Sequence, residues 1–240
     1  FFSYNSFTIF ATNQINTMKI LELFAGSCSF SNIAKKRGHD VFTSDYKDFE
    51  GIDYVCDILD FDTNKVPFKP DVIWASPPCT TFSIASCGHH WTKDKEPKTE
   101  ACLKGIRYIL QTLHIIEHFE PRFFFIENPR GLLRKMDFMQ TLETDGNFRR
   151  TVTYCQYGDS RMKPTDIWTN AVLDVWNPRP MCKNGMPCHE AAPRGSKTGT
   201  QGLKNNYERS KVPEDLCIEI LDCVEKCTIL RSQSGIDLFA

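Results

Sequence analysis

Short apolar runs alternate along this chain with stretches of helical period, and few folds can accommodate that pattern. Residues 19–24, 41–44, 54–56, 71–75 and 122–126 are brief, mostly apolar, and closed by Gly, Asp, Ser or Pro, as strands are. Between them, 29–37 reads as a helix with Gly38 as its stop. Residues 100–119 carry apolar side chains at 103, 106, 109, 110, 113 and 116, a helical period sustained over about five turns. Residues 151–155 and 167–169 supply a sixth and a seventh strand. A last helix spans 213–227, with Pro213 in its first turn and Leu216, Ile220, Leu221 and Val224 on one face. Strands that alternate with helices predict an α/β fold, a doubly wound and mostly parallel seven-stranded sheet.

A chain of 240 residues suits one domain with a small appendage. Its 41% hydrophobic and 25% charged residues are ordinary globular values. The net charge of −1 neither advertises nor excludes a polyanion partner, because charge can be segregated. Residues 179–211 are locally basic: Arg179, Lys183, Arg194, Lys197, Lys204, Arg209 and Lys211 face only Glu190 and Glu208. The eleven cysteines follow no framework spacing, which points to a reducing, cytoplasmic setting. No run of 18 apolar residues is present, so no membrane partner is expected. Met18 directly precedes the first strand and reads as the natural start, which makes 1–17 an extension. The expected layout is a catalytic unit of 18–176 and 209–230, a loop-built basic region at 177–208, and a tail at 231–240.

The chemistry gathers at strand ends, which a parallel sheet brings together at one edge. After the first strand, Phe24-Ala25-Gly26-Ser27 makes a turn that lets backbone approach a ligand ahead of a helix N-terminus. Asp45 ends the second strand about twenty residues on, where an acid can accept bonds from a ribose diol. Asp57 ends the third and could read an adenine amino group. The three outline a nucleoside pocket, but no Gly-x-Gly-x-x-Gly cradles phosphate, which disfavours NAD. The fourth strand runs into Ser76-Pro77-Pro78-Cys79, a thiol held on a stiff turn. The fifth ends in Glu127-Asn128, and a carboxyl after so apolar a run must be partly desolvated or hydrogen-bonded. A thiol beside such an acid can act as a nucleophile with an acid partner. Cys182-x5-Cys188-His189 could take zinc with a fourth ligand from elsewhere. The spacing fits no standard zinc pair, so no metal is assigned.

In this order the motifs resemble those of the DNA cytosine-C5 methyltransferases from Lys19 to about Val224. Leu23-Phe24-Ala25-Gly26 resembles that family's AdoMet-binding turn, and Pro78-Cys79 with Phe82-Ser83 its nucleophile loop. Glu127-Asn128 resembles its Glu-Asn motif, Gln156 with Arg161-Met162-Lys163 its Gln-x-Arg-x-Arg segment, and Val212-Pro213 its closing motif. The departures are Cys28 for a second glycine, Thr80 for glutamine, Pro129 for valine, Lys163 for the second arginine, and Arg209-Ser210-Lys211 for Gly-Asn. The recognition region is also short.

The resemblance implies a Rossmann-like, AdoMet-dependent methyltransferase fold and methyl transfer from S-adenosyl-L-methionine to cytosine C5 in DNA. Catalysis would fall to Cys79, Glu127 and Arg161. The cofactor would be held by Phe24, Ala25, Gly26, Ser27, Cys28, Asp45, Tyr46, Asp57, Ile58, Ser76, Pro77, Ser210 and Val212. DNA would meet Ser83, Lys163, Arg194, Lys197 and Arg209, with Arg161 near the base or thiolate and Lys163 on phosphate. A monomer acting on a flipped base is expected. The alternatives are an RNA or tRNA cytosine-C5 enzyme and a non-catalytic AdoMet-fold protein that binds nucleic acid. Adenine-N6 or cytosine-N4 chemistry is disfavoured, because Cys79 stands where those enzymes carry an aromatic residue.

Overall fold

The computed structural model describes residues 17–183, 185–191 and 205–234. Its seven-stranded sheet comprises β1 (Lys19–Leu23), β2 (Asp40–Asp45), β3 (Tyr54–Val55), β4 (Val72–Ala75), β5 (Phe123–Pro129), β6 (Phe148–Thr153) and β7 (Pro164–Thr169). The order across the sheet is β3-β2-β1-β4-β5-β7-β6. The first five pair in parallel, whereas β7 runs antiparallel between β5 and β6. The helices are α1 (Ser29–Lys36), the single turn α2 (Cys87–His90), α3 (Glu100–Phe119), α4 (Asp137–Thr144), α5 (Asn206–Ser210) and α6 (Glu214–Ser234).

Register explains why the central strands are apolar throughout. Ile20, Val72 and Phe123 lie side by side, as do Leu21, Ile73 and Phe124. Successive side chains point to opposite faces. The first row packs with α1 and α6, through Phe30, Ile33, Leu216, Ile220 and Leu221. The second packs with α3, through Cys102, Ile109, Ile115 and Phe119. Each face is a dry core, and burying one such side chain contributes about 1.5–3 kcal/mol. On the first face Trp74 stacks on Phe30 with ring centroids 4.8 Å apart. The helix α6 is fastened to the end of α1 by Arg37, whose guanidinium donates to Asp222 at 2.6 Å and Glu225 at 3.0 Å.

Several elements differ from the sequence reading. Helix α3 has the expected bounds, but it buries 102, 105, 109, 112, 115, 116 and 119 and leaves Leu103 and Leu110 exposed. Gly105 dictates that rotation: a Cβ there would lie 2.6 Å from Thr81 Oγ1, so the helix turns its smallest residue to the Cys79 loop. The sixth strand begins at Phe148 and ends at Thr153. Tyr154 and Cys155 then leave the ladder in a 3-10 turn, Tyr154–Tyr157. The third strand ends at Val55, one residue early. Within the region read as loop, Asn205 caps α5 by accepting from Tyr207 N. Neither α2 nor α4 was expected.

Chain direction sets the site. From β1 the chain turns to α1 on one face, and from β4 it proceeds to α3 on the other. The neighbouring carboxyl ends of β1 and β4 therefore diverge and leave a crevice, the usual ligand position in such sheets. An open recess of about 450 Å³, lined by Thr63, Phe68, His118 and Phe119 among others, lies where β4 begins and holds none of the strand-end residues.

Candidate active site

On the cofactor side of the crevice, the turn after β1 is held in a demanding backbone shape. Phe24 (φ 58°) and Cys28 (φ 48°) both adopt the left-handed conformation that glycine tolerates best. Cys28 thus occupies a glycine-like position at a backbone cost. Gly26 is closely packed: a Cβ would lie 3.2 Å from the Phe49 ring and 3.3 Å from Asp45 Oδ2 and would push them back. Backbone at residue 26 therefore comes up against the Asp45 carboxylate. Asp45 is 8% exposed. Burial pushes its carboxyl up, opposed by backbone N–H groups of Lys47, Gly26 and Tyr46.

The remaining expected cofactor residues surround this turn unequally. Ser27 Oγ lies 2.8 Å from Ser29 Oγ, which accepts from Val212 N at 3.2 Å, so the segment before α6 docks on the start of α1. Ser76 accepts from Trp74 Nε1, and Pro77 is buried. Ile58 is buried, Tyr46 is largely exposed, and Ser210 donates to Tyr207 O on the surface. Asp57 is already occupied: it caps the next turn by accepting from Leu59 N at 3.1 Å, Tyr108 donates to it at 3.0 Å, and Lys104 lies at 3.2 Å. Despite some burial, these contacts hold its carboxyl below the usual range.

Across the crevice, Cys79 sits on a tightly fastened loop. Its carbonyl accepts from Phe82 N and Ser83 N, each at 3.0 Å, while Ser83 Oγ meets Ser86 Oγ at 2.7 Å. Buried Phe82 packs on Trp91, whose Nε1 donates to Thr81 O at 2.8 Å. Gly131 clasps the loop from the β5 side: a Cβ there would lie 2.3 Å from Phe82 O. Asn128 Nδ2 donates to Pro77 O at 2.9 Å, which ties the end of β5 directly to the proline turn.

Glu127 is 5% exposed, and Tyr154 donates to its Oε1 at 2.6 Å. Lys163 Nζ lies 3.6 Å from the same oxygen and 4.4 Å above the Tyr154 ring. The nearest contact of each falls on Oε1. The Cys79 thiol is half-buried, and burial pushes it up. Lys163 and Arg209 draw it down, while the Glu127 charge raises it.

Two basic residues approach this pair from the turn before β7. Lys163, expected on phosphate, faces Glu127 and Cys79. Arg161, expected near the base or thiolate, is 3% exposed and bound side-on to Asp159. Its Nη1 donates to Arg209 O at 3.1 Å, and Lys163 Nζ reaches the same carbonyl at 3.5 Å. Together they dock the end of α5 over the site. Arg194 and Lys197 lie outside the described residues.

The family model for C-5 cytosine-specific DNA methylases matches residues 18–148, from the first strand to the start of β6. The chain belongs to that family. The methylase is 30% identical over 223 residues to a Frog virus 3 (isolate Goorha) protein named a probable DNA (cytosine-5)-methyltransferase, with 85% of this chain and 99% of that one covered. Among solved structures it resembles one described as a prophage-encoded DNA modification methyltransferase (E. coli). The TM-score is 0.50 at 14% identity, over 69% of this chain and 52% of that one, a likeness of fold. The methylase is thus a DNA cytosine-5 methyltransferase that draws on an AdoMet-type methyl donor, with an α/β fold as expected. Its crevice fits such a donor: a buried acid faces a turn whose only Cβ-free position lies against it. No helix among the described residues is long and apolar enough to cross a membrane.

Tyr154, Asp159 and Glu22 escaped the sequence reading. Glu22 lies inside β1, 3% exposed, and accepts from Ser31 N at 2.7 Å at the start of α1. Burial pushes its carboxyl up to about 7. A charged residue inside the run KILELF is the one sequence signal that could have marked it.

Proposed function

We propose that the methylase acts through a covalent adduct between Cys79 and C6 of a cytosine lifted out of the DNA stack. Cytosine C5 is a poor nucleophile while the ring is aromatic. Attack of the Cys79 sulfur, as thiolate, on C6 breaks the aromaticity and makes C5 nucleophilic. Glu127, held by Tyr154 and Lys163, stabilises the developing charge by hydrogen-bonding or protonating N3. AdoMet, when bound, supplies an electrophilic methyl group. Once C5 carries the methyl, loss of its proton and elimination of the Cys79 sulfur restore the aromatic ring.

The observation that carries this reading is the clamp on the two reacting groups. Asn128 bonds the proline turn that bears Cys79, and the adjacent Glu127 shares Lys163 with that thiol. The thiol is raised by burial in the free protein, so the Lys163 charge favours the thiolate where it is needed. A base must leave the helix to reach both groups, which supports flipping.

For the donor, Asp45 and the Gly26 turn are the residues best placed to hold a ribose, with Ser27 and Val212 closing one side. Arg161 acts through Arg209 and Lys163 as a positioning residue rather than by touching the base. Ser83, Arg194, Lys197 and Arg209 are proposed to meet the DNA, and residues 177–208 to choose the cytosine. Incubation with 5-fluorocytosine DNA and AdoMet should trap a covalent complex that survives denaturation and is absent in Cys79→Ser. Lack of an adduct in the wild-type protein would overturn the reading, and trapping on 5-fluorocytosine tRNA alone would move the substrate to RNA.

A further inference from the structure

We infer that the methylase holds a structural zinc ion between the turn after β6 and the loop after β7, on Cys155, Cys182, Cys188 and His189. These four side chains come from two separate segments, yet their ligand atoms all lie within 4.8 Å of one another. Cys182 Sγ is 3.2 Å from Cys188 Sγ and 3.6 Å from His189 Nδ1, and Cys188 Sγ is 3.7 Å from the same nitrogen. Zinc held tetrahedrally at about 2.3 Å from sulfur and 2.0–2.1 Å from nitrogen requires ligand separations of about 3.5–3.8 Å. The cluster already lies near those spacings. A disulfide between Cys182 and Cys188 would need about 2.05 Å and would leave Cys155 and His189 gathered to no purpose.

The sequence gives three of these ligands in an unusual spacing. The fourth, Cys155, lies on the far side of β7 in the chain and is supplied by the 3-10 turn that breaks β6 after Thr153. Four protein ligands make a closed site, which is structural rather than catalytic. Its surroundings fit that role. Gln156 Nε2 lies 3.5 Å from Cys188 Sγ, a position from which it would orient a ligating thiolate. The loop is also fastened around the cluster by Cys182 N to Thr153 Oγ1 at 2.8 Å, Arg179 Nη1 to Gln156 O at 2.6 Å, and Glu190 N to Ser160 O at 2.9 Å.

A staple is needed at this place. Among the described residues, no buried apolar side chain lies between Trp176 and Val212, so the segment has no core of its own. A metal substitutes for such a core in small loop-built units. The ion would anchor the loop to Cys155, the neighbour of Tyr154, and so connect the expected recognition region to the Glu127 contact.

The test uses the full chain, purified under reducing conditions with zinc and then freed of loosely held metal. Elemental analysis should find close to one zinc per chain. Replacement by cobalt(II) should give the intense visible bands of a tetrahedral thiolate site with sulfur-to-metal charge transfer. Cys188→Ser, at an exposed position, should lose most of the zinc while its circular dichroism stays that of the wild type. Cys182→Ser/Cys188→Ser should lose all of it. A wild-type chain that holds no zinc or cobalt, a double variant that keeps its zinc, or a Cys182–Cys188 disulfide in the freshly purified protein would each overturn the assignment. None of these readouts depends on methyl transfer, so their failure leaves the reading of Cys79 and Glu127 standing.

Discussion

Removing one oxygen, in Tyr154→Phe, tests whether Glu127 is held for catalysis. The Tyr154 hydroxyl donates to Glu127 Oε1 at 2.6 Å, between two groups that are almost wholly buried. Burial and the Glu127 charge push the phenol well above its ordinary value, so it stays a donor across the working pH range. A hydrogen bond to a charged acceptor contributes about 1.5–3 kcal/mol. Without it, Glu127 Oε1 keeps Lys163 at 3.6 Å and is free to swing towards it, away from the base. If that loss is felt in the transition state, kcat should fall about 10- to 100-fold, since each 1.36 kcal/mol is a factor of ten. Single-turnover methyl transfer from labelled AdoMet to DNA measures the step directly. Donor affinity should not change, because Asp45 and Gly26 lie across the crevice. The unfolding midpoint should drop by about 3–12 °C, at about 2–4 °C per kcal/mol. Wild-type turnover in Tyr154→Phe, or a loss traced wholly to weaker donor binding, would refute the reasoning.

Other tests follow from particular contacts. Glu22 has a folded-state value of about 7 against 4.5 for the free side chain. Its stabilising contribution is therefore complete below pH 4.5 and is lost as pH rises through 7, a swing of about 3 kcal/mol at most. Glu22→Gln, which keeps an acceptor for Ser31 N, should flatten the wild-type decline in urea-unfolding free energy between pH 5 and 7.5; parallel curves would show that Glu22 does not ionise there. Gly131→Ala places a Cβ 2.3 Å from a backbone oxygen of the Cys79 loop, so methyl transfer should fall at least about tenfold and stability by about 1–3 kcal/mol. Gly88→Ala, which meets nothing within 4 Å, is the control and should behave as wild type in both assays. Lys163→Met removes the strongest influence drawing the Cys79 thiol down, so the pH midpoint for alkylating the Cys79 peptide should rise. An unmoved midpoint would separate Lys163 from the nucleophile.

The sequence by itself determined whatever depends on near neighbours. Apolar runs too short for helices and too continuous for a wetted sheet could only be strands covered on both faces. The polar residues Asp45, Cys79 and Glu127 were legible because each stands at the end of an apolar run or just past it. The apolar period placed α3 to the residue, and in the fold Thr99 accepts from Cys102 N at its start. Rotation about the helix axis was decided elsewhere, by the space Gly105 leaves for Thr81.

Only the tertiary structure decided the strand order β5-β7-β6, because the pairing of strand edges depends on the whole sheet rather than on either sequence. The same inserted strand carries Lys163 to Glu127 from its leading edge, and the turn after β6 carries Tyr154 there. A charge that reads in sequence as a phosphate contact thus becomes the neighbour of a buried acid. Cys155 is the sharpest case. Alone it is one of several thiols near a strand end. Folding brings it to Cys182, Cys188 and His189, because β7 returns the chain antiparallel and lays the following loop across the turn. Periodicity reports which face a residue prefers, whereas the company it keeps there is fixed by chain segments that only the closed fold brings within a few ångströms.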